Sequence, residues 1–565
     1  MSGKADWTTW LIAFAVFLAF LFLASGRRTP TFWSADNGVK WWQAETIKEK
    51  GLSNAFLDYP LAEIDPEGNF QPLGWKFGRL EGDRIRFTYP PFYASLLSLN
   101  LSKDDVRSGL FWTTLFAALL IPLFVSLGRI LDLAYPRIFA LFLLFGTALL
   151  PYAVEVNEHL IALFFGLLGW LALYGKQSGP SYSGILCAGL CIGLGGWIRE
   201  EYWIWGAACL FPLLFNRDWR RTGMLVLTLA TVFGLGWFLE GALSPETQIL
   251  RGIHIHQDIP QTSFGLYYFR YRWALLNHWL FSWGHYDEVW ELSFANPWPW
   301  VLLGGLGLVL FLSKTLPKGS SRTNGPLLLV VFLMGLISLY HQARICLIGI
   351  PHISGLFFAM PILLVLPLLP IVPAAPRWDS IRRQILPIMA FCLLLWVLAG
   401  SSRGGRQWGP RYFMIVWPFL VGWTWIVIEW ATRQRKGIGF IAIFPILISQ
   451  ILTAGYAFQT VRHQQRSLPV EILASQHRMD PDQLFLTDLE YLPAAAVGAG
   501  HSIWAVFPNL TTDDSKRDFL DDIPLDRFPI LWFGIEEAGD WLPSNLATKT
   551  ISNDAGFTIQ VVKPE

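Results

Sequence analysis

The segment Thr8–Ser25, TTWLIAFAVFLAFLFLAS, contains no charged residue. A helix needs roughly 20 mostly apolar residues to cross the hydrocarbon core of a bilayer, where its backbone must be hydrogen-bonded internally. The segment therefore predicts a transmembrane helix. The small residues Ala24-Ser25-Gly26 would also suit cleavage of a signal peptide, but the apolar run is long and Lys4 is the only cation before it.

The composition extends this interpretation to the whole chain. Of its 565 residues 53% are hydrophobic and 15% are charged, and 29 Trp and 42 Phe add the aromatic side chains that membrane proteins use at their interfaces. A formal net charge of +1 gives no electrostatic support for a nucleic-acid partner. The sequence predicts a mainly α, polytopic integral membrane protein that contacts membrane lipids.

Apolar runs long enough to be helical recur along the chain and predict about thirteen transmembrane helices. They are Thr8–Ser25, Gly109–Leu131, Ile138–Val154, His159–Tyr174, Gly184–Trp197, Tyr202–Phe215, Thr222–Leu243, Trp298–Ser313, Pro326–Tyr340, Gly355–Val372, Ile385–Gly400, Tyr412–Trp430 and Ile438–Phe458.

Basic residues concentrate in alternate loops, which the positive-inside rule assigns to the cytoplasm. They are Arg129, Arg137, Lys176, Arg217, Arg220, Arg221, Lys314, Lys318, Arg322, Arg377, Arg382, Arg383, Arg433, Arg435 and Lys436. The N-terminus is then cytoplasmic and the C-terminus extracytoplasmic. The opposite face holds the long loops 26–108 and 244–297 of a membrane domain 1–458.

The sequence after residue 458 has the composition of a soluble protein. Four apolar runs in it are typical of strands and alternate with polar or helical stretches. They are Gln483–Leu486, Ser502–Phe507, Pro529–Phe533 and Phe557–Val562. We expect residues 459–565 to form a small extracytoplasmic α/β domain.

Ionisable residues collect near the extracytoplasmic ends of the spans, where their burial cost marks them as functional candidates. They are Asp36, Glu155, Glu158, His159, Arg199, Glu200, Glu201, Glu240, His254, His256, Asp258, Arg403, Arg406 and Arg411. Arginines can hold a phosphate by paired hydrogen bonds, and a carboxylate can take a proton from an attacking hydroxyl. This combination suits a phosphate-bearing lipid and a polar acceptor.

Several motifs resemble a family. The segment 34–40, SADNGVK, followed by WQAE at 42–45 and Asp58-Tyr59-Pro60, looks like the first extracytoplasmic loop of bacterial relatives of the protein O-mannosyltransferases, members of the GT-C superfamily. Glu158-His159, WIREE at 197–201 and QWGPRY at 407–412 look like later loop motifs of these enzymes. The resemblance spans residues 8–458.

The resemblance implies an inverting glycosyltransferase, hexosyl- or mannosyltransferase-like, in the bacterial inner membrane. It would move one sugar from a polyprenyl-phosphate donor to a lipid, glycan or protein acceptor. Asp36 would be the base, with Glu158 and His159 as further catalytic residues. Arg199 and Arg411 would hold the donor phosphate. Tyr89, Glu201, Trp408 and His254 would contact substrate.

The chain departs from the family pattern at two places. Asn37 stands where such enzymes commonly have a second acid, which leaves Asp36 as the base candidate of that motif and makes a metal there less expected. A lysine that some members carry before a Pro-Pro pair is absent, because Tyr89 precedes Pro90 here. Which cation meets the donor phosphate is therefore open.

Each assignment has a structural alternative. Asp36 and Glu158 could cap the helices that follow them, and Arg199 and Arg411 could anchor helix ends at the interface by snorkelling. His159 could be an interface residue.

A divalent metal is a further possibility. His254 and His256 share a face on a strand and could bind one with Asp258. Cys187 and Cys191, four apart on a helix, are better explained as small core residues.

Two other functions use a similar scaffold. A transporter or lipid flippase would also have about a dozen helices, but such proteins usually show related halves and polar groups at mid-membrane, whereas here the charges favour one face. A polymerase or oligosaccharyltransferase would transfer a whole glycan, usually with a larger outer domain.

Overall fold

The computed structural model describes the chain in segments. They are residues 6–25, 32, 34–102, 105–175, 180–243, 266–282, 324–349, 353, 355–372, 375–398, 409–433, 437–467, 484–487, 492–495, 503–507, 513–523, 530–534, 546–554 and 557–564.

Helices dominate the described residues. They are α1 Trp7–Ser25, α2 Ala35–Lys50, α3 Gly74–Phe77, α4 Pro91–Ser98, α5 Arg107–Ile130, α6 Pro136–Phe145, α7 Leu149–Ala153, α8 His159–Tyr174, α9 Tyr182–Ile198, α10 Glu201–Phe215, α11 Trp219–Leu243, α12 Leu266–Phe281, α13 Asn324–Ile348, α14 Leu356–Ala359, α15 Ala375–Leu398, α16 Trp417–Thr432, α17 Ile438–Ser467, α18 Leu492–Ala495 and α19 Asp513–Asp521. Three 3₁₀ segments, Leu52–Asn54, Pro361–Ile371 and Arg411–Val416, join them.

Six helical segments of the described part are long and apolar enough to cross a bilayer. They are Trp7–Ser25, Arg107–Ile130, Trp219–Leu239, Leu328–Ile348, Arg411–Thr432 and Ile438–Arg462. Shorter apolar helices, such as His159–Tyr174 and Tyr182–Ile198, accompany them. These are the helices of an integral membrane protein. The total of about thirteen spans stays a prediction, since Trp298–Ser313 lies outside the described residues.

Two predicted spans are interrupted. The run Ile138–Val154 is not one helix, because α6 ends before Gly146 and α7 begins at Leu149. The run Gly355–Val372 forms the short α14 and then a 3₁₀ helix that contains Pro367 and Pro370. Proline lacks an amide hydrogen and disfavours the α conformation in the residue before it, which explains the tighter helix.

The chain divides into two compact units. The first comprises Met1–Phe20, Thr113–Trp237 and Ile253–Thr460, and the second comprises Leu21–Trp112, Phe238–Gly252 and Val461–Glu565.

Small residues bring helices of the first unit close together. A Cβ added to Gly169 on α8 would lie 2.6 Å from Ile192 of α9, and one on Gly166 would lie 2.4 Å from the ring of Tyr202 on α10. Small residues at these positions allow the close backbone approach that drives helix association in lipid. Helices α8, α9 and α10 therefore form a tight group. The start of α8, the end of α9 and the start of α10 lie at the same end of this group.

Ion pairs connect the start of α1, the end of α5 and the start of α6 in the first unit. Asp6, just before α1, pairs with Arg129 and with Arg137, the latter at 2.9 Å. The hydroxyl of Thr9 donates to Asp6 at 2.6 Å, and this bond, followed by those from the arginines, holds the pKa of Asp6 well below its ordinary value. The start of α1 is thus tied to the basic α5–α6 turn.

The second unit contains two sheets. Strands β1 Phe56–Asp58, β2 Gly78–Glu81 and β3 Arg84–Phe87 form an antiparallel sheet in the order β1-β3-β2. The other sheet has the order β5-β4-β6-β8-β7, with β4 parallel to β5 and β6 and with antiparallel pairs β6–β8 and β7–β8. Its strands are β4 Leu484–Thr487, β5 Ile503–Val506, β6 Ile530–Gly534, β7 Leu546–Asp554 and β8 Phe557–Pro564.

The segment after α1 and the C-terminal strands share one hydrophobic core. Phe70 packs at 4.3 Å, ring centre to ring centre, on Phe519 and at 5.4 Å on Phe507. The amide of Val506 donates to the carbonyl of Phe70 at 2.9 Å. The four apolar runs predicted as strands after residue 458 are found as β4, β5, β6 and β8. Strand β7 is an additional one, and its sequence LATKTISND is too polar to have indicated it.

Candidate active site

Arg199 lies between two carboxylates in the first unit. Its Nη1 is 2.8 Å from Oε1 of Glu158, and its Nε is 3.0 Å from Oε1 of Glu201. The side chains of Glu158, Glu201 and Arg199 are 1%, 7% and 12% exposed. The three groups form a charge-assisted hydrogen-bonded cluster at the ends of apolar helices.

The local sequence explains how these residues meet. Arg199 follows the last residue of α9 in an extended conformation, and Glu201 begins α10 two residues later, so both side chains belong to one tight turn. Glu158 comes from the turn before α8. Burial opposes the charge on Arg199, but the carboxylates of Glu201 and Glu158 outweigh it and raise the pKa of the guanidinium. The snorkelling alternative for Arg199 is therefore wrong, since its head group points to buried carboxylates and not to water.

The turn that carries Glu158 is shaped by Asn157. The amide of Asn157 donates to the carbonyls of Tyr152 at 2.7 Å and Glu155 at 2.9 Å, and its Oδ1 accepts from the backbone of His159 at 3.1 Å. Glu158 occupies the N-cap position of α8 but makes no capping bond with its side chain. The capping alternative for Glu158 is thus wrong. The side chain of Asn157 makes the hydrogen bonds of this turn, and the side chain of Glu158 bonds Arg199.

Tyr412 adds an aromatic face to the cluster. The guanidinium carbon of Arg199 lies 5.7 Å from the centre of its ring, and that of Arg411 lies 5.8 Å from it. Trp279 of α12 packs against the same ring at 6.2 Å. Two guanidiniums and one indole therefore contact one aromatic ring.

Gly409 positions Arg411 and Tyr412. Its φ of +72° lies in the left-handed region that favours glycine, and an added Cβ would be 2.9 Å from Cζ2 of Trp417. The amide of Gly409 donates to the carbonyl of Ile353 at 2.7 Å. The QWGPRY motif thus needs its glycine for both conformation and space.

His159 is buried in the first turn of α8. Its ring packs edge-on against Tyr152 at 5.2 Å, and Tyr152 in turn lies 6.3 Å from Trp417. The interface alternative for His159 does not hold, because the side chain is enclosed by aromatic residues of the same unit.

Asp36 lies in the second unit, in the first turn of α2. The helix begins at Ala35 and has Ser34 at its N-cap, so Asp36 is not the capping residue that the alternative interpretation required. Its side chain is buried, as are those of Lys40 and Gln43 on the same helix. Tyr89, the predicted substrate contact, accepts a hydrogen bond from Gln43 and lies under the amine of Lys40.

Four of the predicted site residues come together in the first unit: Glu158, Arg199, Glu201 and Arg411. Asp36 and Tyr89 belong to the α2 region of the second unit. Trp408 and His254 lie outside the described residues, as do His256 and Asp258 of the alternative metal site. Sequence reasoning assigned no role to Asn157, Tyr412, Lys40 and Gln43. Lys40 and Gln43 carried a signal in their spacing of four and seven from Asp36, and Tyr412 lies in the QWGPRY motif.

The described residues contain no group of three or more His, Cys, Asp or Glu side chains arranged to hold a metal ion. The sulfur atoms of Cys187 and Cys191 are 4.0 Å apart on α9. Two thiols without a third ligand do not make a metal site of the usual kind.

Comparisons with known proteins give only distant likenesses. No family model and no curated protein matches the chain. Among solved structures, ArnT from Cupriavidus metallidurans bound to undecaprenyl phosphate is 11% identical with a TM-score of 0.48, over 99% of this chain and 98% of that one. Its apo form is 12% identical with a TM-score of 0.46 over the same shares. The oligosaccharyltransferase AglB from Archaeoglobus fulgidus, in complex with an inhibitory peptide and a dolichol-phosphate, is 12% identical with a TM-score of 0.40, over 92% and 69%. Likenesses of this size do not transfer residue roles to the chain.

Proposed function

We propose that this protein is an inverting membrane glycosyltransferase of the GT-C kind. It would move a monosaccharide, such as a hexose, from a polyprenyl-phosphate donor to a lipid, glycan or protein acceptor. The reaction would take place on the extracytoplasmic side of the bacterial inner membrane, with the N-terminus in the cytoplasm.

The observation that carries the proposal is the cluster of Glu158, Arg199 and Glu201 beside Arg411. Buried ionisable groups at the ends of apolar helices are costly, and they are retained mainly where a substrate needs charge. Transfer from a lipid phosphate needs fixed positive groups, since negative charge develops on the phosphate as the glycosidic bond breaks. Two guanidiniums over the Tyr412 ring meet this need.

The positions of the cluster support the proposed side. It lies at the start of α8, the end of α9 and the start of α10, whereas the basic residues Arg217, Arg220 and Arg221 follow α10. Because consecutive spans run in opposite directions, the cluster and these basic residues belong to opposite faces. Positive residues favour the cytoplasm, which leaves the cluster on the other side.

In the proposed reaction Asp36 takes the proton from the acceptor hydroxyl. The acceptor oxygen forms a new bond to the anomeric carbon from the side opposite the phosphate. The bond from that carbon to the phosphate oxygen breaks, and its electron pair leaves with the polyprenyl phosphate. One displacement therefore inverts the anomeric centre, and no oxidant or reductant is needed.

The other residues would orient the substrates and supply positive charge to the site. Arg411 and Arg199 would hold the donor phosphate, and Glu158 and Glu201 would fix the guanidinium of Arg199 by the two bonds described above. Glu201 and Tyr89 would contact substrate. His159, held against Tyr152, would assist the proton transfer.

The direct test uses the purified protein in lipid nanodiscs, a labelled polyprenyl-phosphate hexose and a membrane extract as the acceptor source. Asp36→Asn should lower sugar transfer by about 10²- to 10⁴-fold, the usual contribution of a general base. Asp58→Asn is the matched control, because Asp58 is an exposed aspartate of the same unit that pairs with Lys50.

Two outcomes would contradict the proposal. Undiminished transfer by a folded Asp36→Asn protein would remove Asp36 as the base. Failure of the wild-type protein to transfer sugar from any polyprenyl-phosphate donor, together with substrate-dependent flux in proteoliposomes, would favour a transporter.

A further inference from the structure

One face of α2 carries a stripe of buried polar side chains. Asp36, Lys40 and Gln43 are spaced four and three residues apart, which places them on one side of a helix. Their exposed fractions are 7%, 5% and 4%. A helix that packs by apolar contacts alone would not carry three such residues on one buried face, because burying polar and charged groups is unfavourable unless they are hydrogen-bonded or paired.

Lys40 lies against Tyr89. Its Nζ is 4.6 Å from the centre of the tyrosine ring, a cation–π distance. The ring is itself fixed by stacking on Phe77 at 5.9 Å between centres. The ammonium group therefore has a defined place one helical turn from Asp36, and an ammonium is a compact charge suited to a phosphate.

Gln43 has a definite orientation and one unused acceptor. Its Nε2 donates to the carbonyl of Tyr89 at 3.0 Å, and since a carbonyl can only accept, the amide nitrogen must be the atom that points there. Its Oε1 is buried and has no hydrogen-bond partner among the described residues. A buried acceptor without a donor is unfavourable by itself and is satisfied when a ligand supplies a hydroxyl.

We propose that Asp36, Lys40, Gln43 and Tyr89 form a subsite for a sugar phosphate. Lys40 adds a further positive charge for the phosphate to the two arginines proposed above, and Oε1 of Gln43 accepts a hydrogen bond from a hydroxyl of the sugar. This inference rests on the proposed function and deepens it. The electron pair of the broken glycosidic bond stays on the phosphate oxygen, and Lys40 neutralises the added charge, while the acceptor proton goes to Asp36.

The first experiment measures binding by the full-length protein in nanodiscs to three probes: polyprenyl phosphate, polyprenyl alcohol and inorganic phosphate. Lys40→Met should weaken polyprenyl phosphate binding by about 10- to 100-fold, the size of a charge-assisted hydrogen bond, and leave the alcohol unaffected. Lys40→Arg should retain most of the affinity. Lys50→Met is the matched control, because Lys50 ends the same helix but pairs with Asp58 at 2.7 Å.

The inorganic phosphate arm separates two sources of the same chemistry. Competition by millimolar inorganic phosphate that Lys40→Met abolishes would show that the subsite takes the phosphate group alone. Binding confined to the lipid would show that the prenyl chain is also required. With either result, weaker polyprenyl phosphate binding by Lys40→Met supports Lys40 as a phosphate contact, whereas equal polyprenyl phosphate affinity of the wild type and Lys40→Met would overturn it.

The second experiment separates the sugar from the phosphate. Gln43→Leu should weaken binding of the glycosylated donor by about tenfold, because a buried donor–acceptor pair is lost, and leave binding of free polyprenyl phosphate within twofold. Equal loss for both probes would mean that Gln43 only supports Tyr89, which contradicts its sugar contact.

The two proposals fail in different ways. If the wild type binds polyprenyl phosphate through Lys40 but transfers no sugar, the proposed function fails and the subsite stands. If the wild type transfers sugar and Lys40→Met keeps its KM, kcat and polyprenyl phosphate affinity, the subsite fails and the proposed function stands.

Discussion

Two polar regions of this protein are built in opposite ways. The cluster of Glu158, Arg199 and Glu201 draws on two turns far apart in the sequence, and each carboxylate is bonded to the same guanidinium. The α2 face takes Asp36, Lys40 and Gln43 from a single helix and leaves the Oε1 of Gln43 without a donor among the described residues.

The difference lies in how firmly each region is held by bonds within the protein. In the cluster Arg199 is bonded to two buried carboxylates, so its guanidinium keeps a fixed position and its removal should be costly. On the α2 face the Oε1 of Gln43 lacks a hydrogen-bond donor among the described residues, so a ligand can supply one. We therefore expect changes in the cluster to lower stability first, and changes on the α2 face to lower ligand binding first.

The largest effect should come from Arg199→Met. Removing the guanidinium leaves two buried carboxylates without their common cation, which should lower the free energy of unfolding by about 3–5 kcal/mol. Unfolding in mixed micelles of a mild detergent and dodecyl sulfate measures the change.

The control for this experiment is Arg517→Met. Arg517 pairs with Asp514 at 3.4 Å on α19, and the side chains are 42% and 89% exposed. Such a surface pair contributes about 0–1 kcal/mol. Similar losses for Arg199→Met and Arg517→Met would mean that the cluster is not a buried support.

A second prediction concerns the balance of charge within the cluster. Glu158→Gln or Glu201→Gln alone should lower the free energy of unfolding by about 1.5–3 kcal/mol, because each removes one charge-assisted bond while Arg199 keeps the other. Combining both with Arg199→Met removes the unpaired charges altogether. The triple variant should be more stable than Arg199→Met alone. If the losses simply add, the three groups do not act as one unit.

The comparison also shows what the sequence could predict. Long apolar runs fixed most helices: the predicted His159–Tyr174 has the same bounds as α8, and Thr8–Ser25 differs from α1 by one residue. Lys40 could have been found from its spacing to Asp36, because helical periodicity is local. The three-stranded sheet β1-β3-β2 was missed, since its strands are short and polar.

Contacts between segments far apart in the chain could not be predicted from the sequence. WIREE and Glu158-His159 were recognised as motifs, yet nothing in either indicates that Arg199 bonds Glu158. In the same way, the packing of Phe70 on Phe519 follows from the topology of the second unit and not from either local pattern. A single sequence offers no signal for such pairs, because side-chain chemistry alone leaves many partners available.

A third prediction concerns Asp65, a buried carboxylate of the second unit that, unlike the Oε1 of Gln43, is fully hydrogen-bonded within the protein. Asp65 is buried and accepts hydrogen bonds from the backbone of Asn69 and Phe70 and from the hydroxyl of Tyr59, each at 2.8 Å. Asp65→Asn should lower the free energy of unfolding by about 1.5–3 kcal/mol, since it replaces an ionised acceptor with a neutral amide. The exposed Glu67 of the same turn provides the control Glu67→Gln. A loss for Asp65→Asn as small as that of the control would show that backbone donors do not make this carboxylate structural.

The smallest effect should come from Tyr59→Phe, and it depends on pH. Burial, followed by the neighbouring Asp65, raises the pKa of the Tyr59 phenol well above its ordinary value. Above about pH 10 an unfolded Tyr59 loses its proton while the folded one keeps it, so the wild type loses up to about 1.4 kcal/mol of stability per pH unit through this group. Tyr59→Phe should cost about 1 kcal/mol near pH 8, by loss of the bond to Asp65, and should lower the steepness of the decline between pH 10 and 11.5. Tyr135→Phe removes an exposed phenol and serves as the control. If the stability of both variants declines with pH as steeply as that of the wild type, Tyr59 is accessible to water. The turn around Asp65 is then not a closed structural element, and its contrast with the α2 face fails.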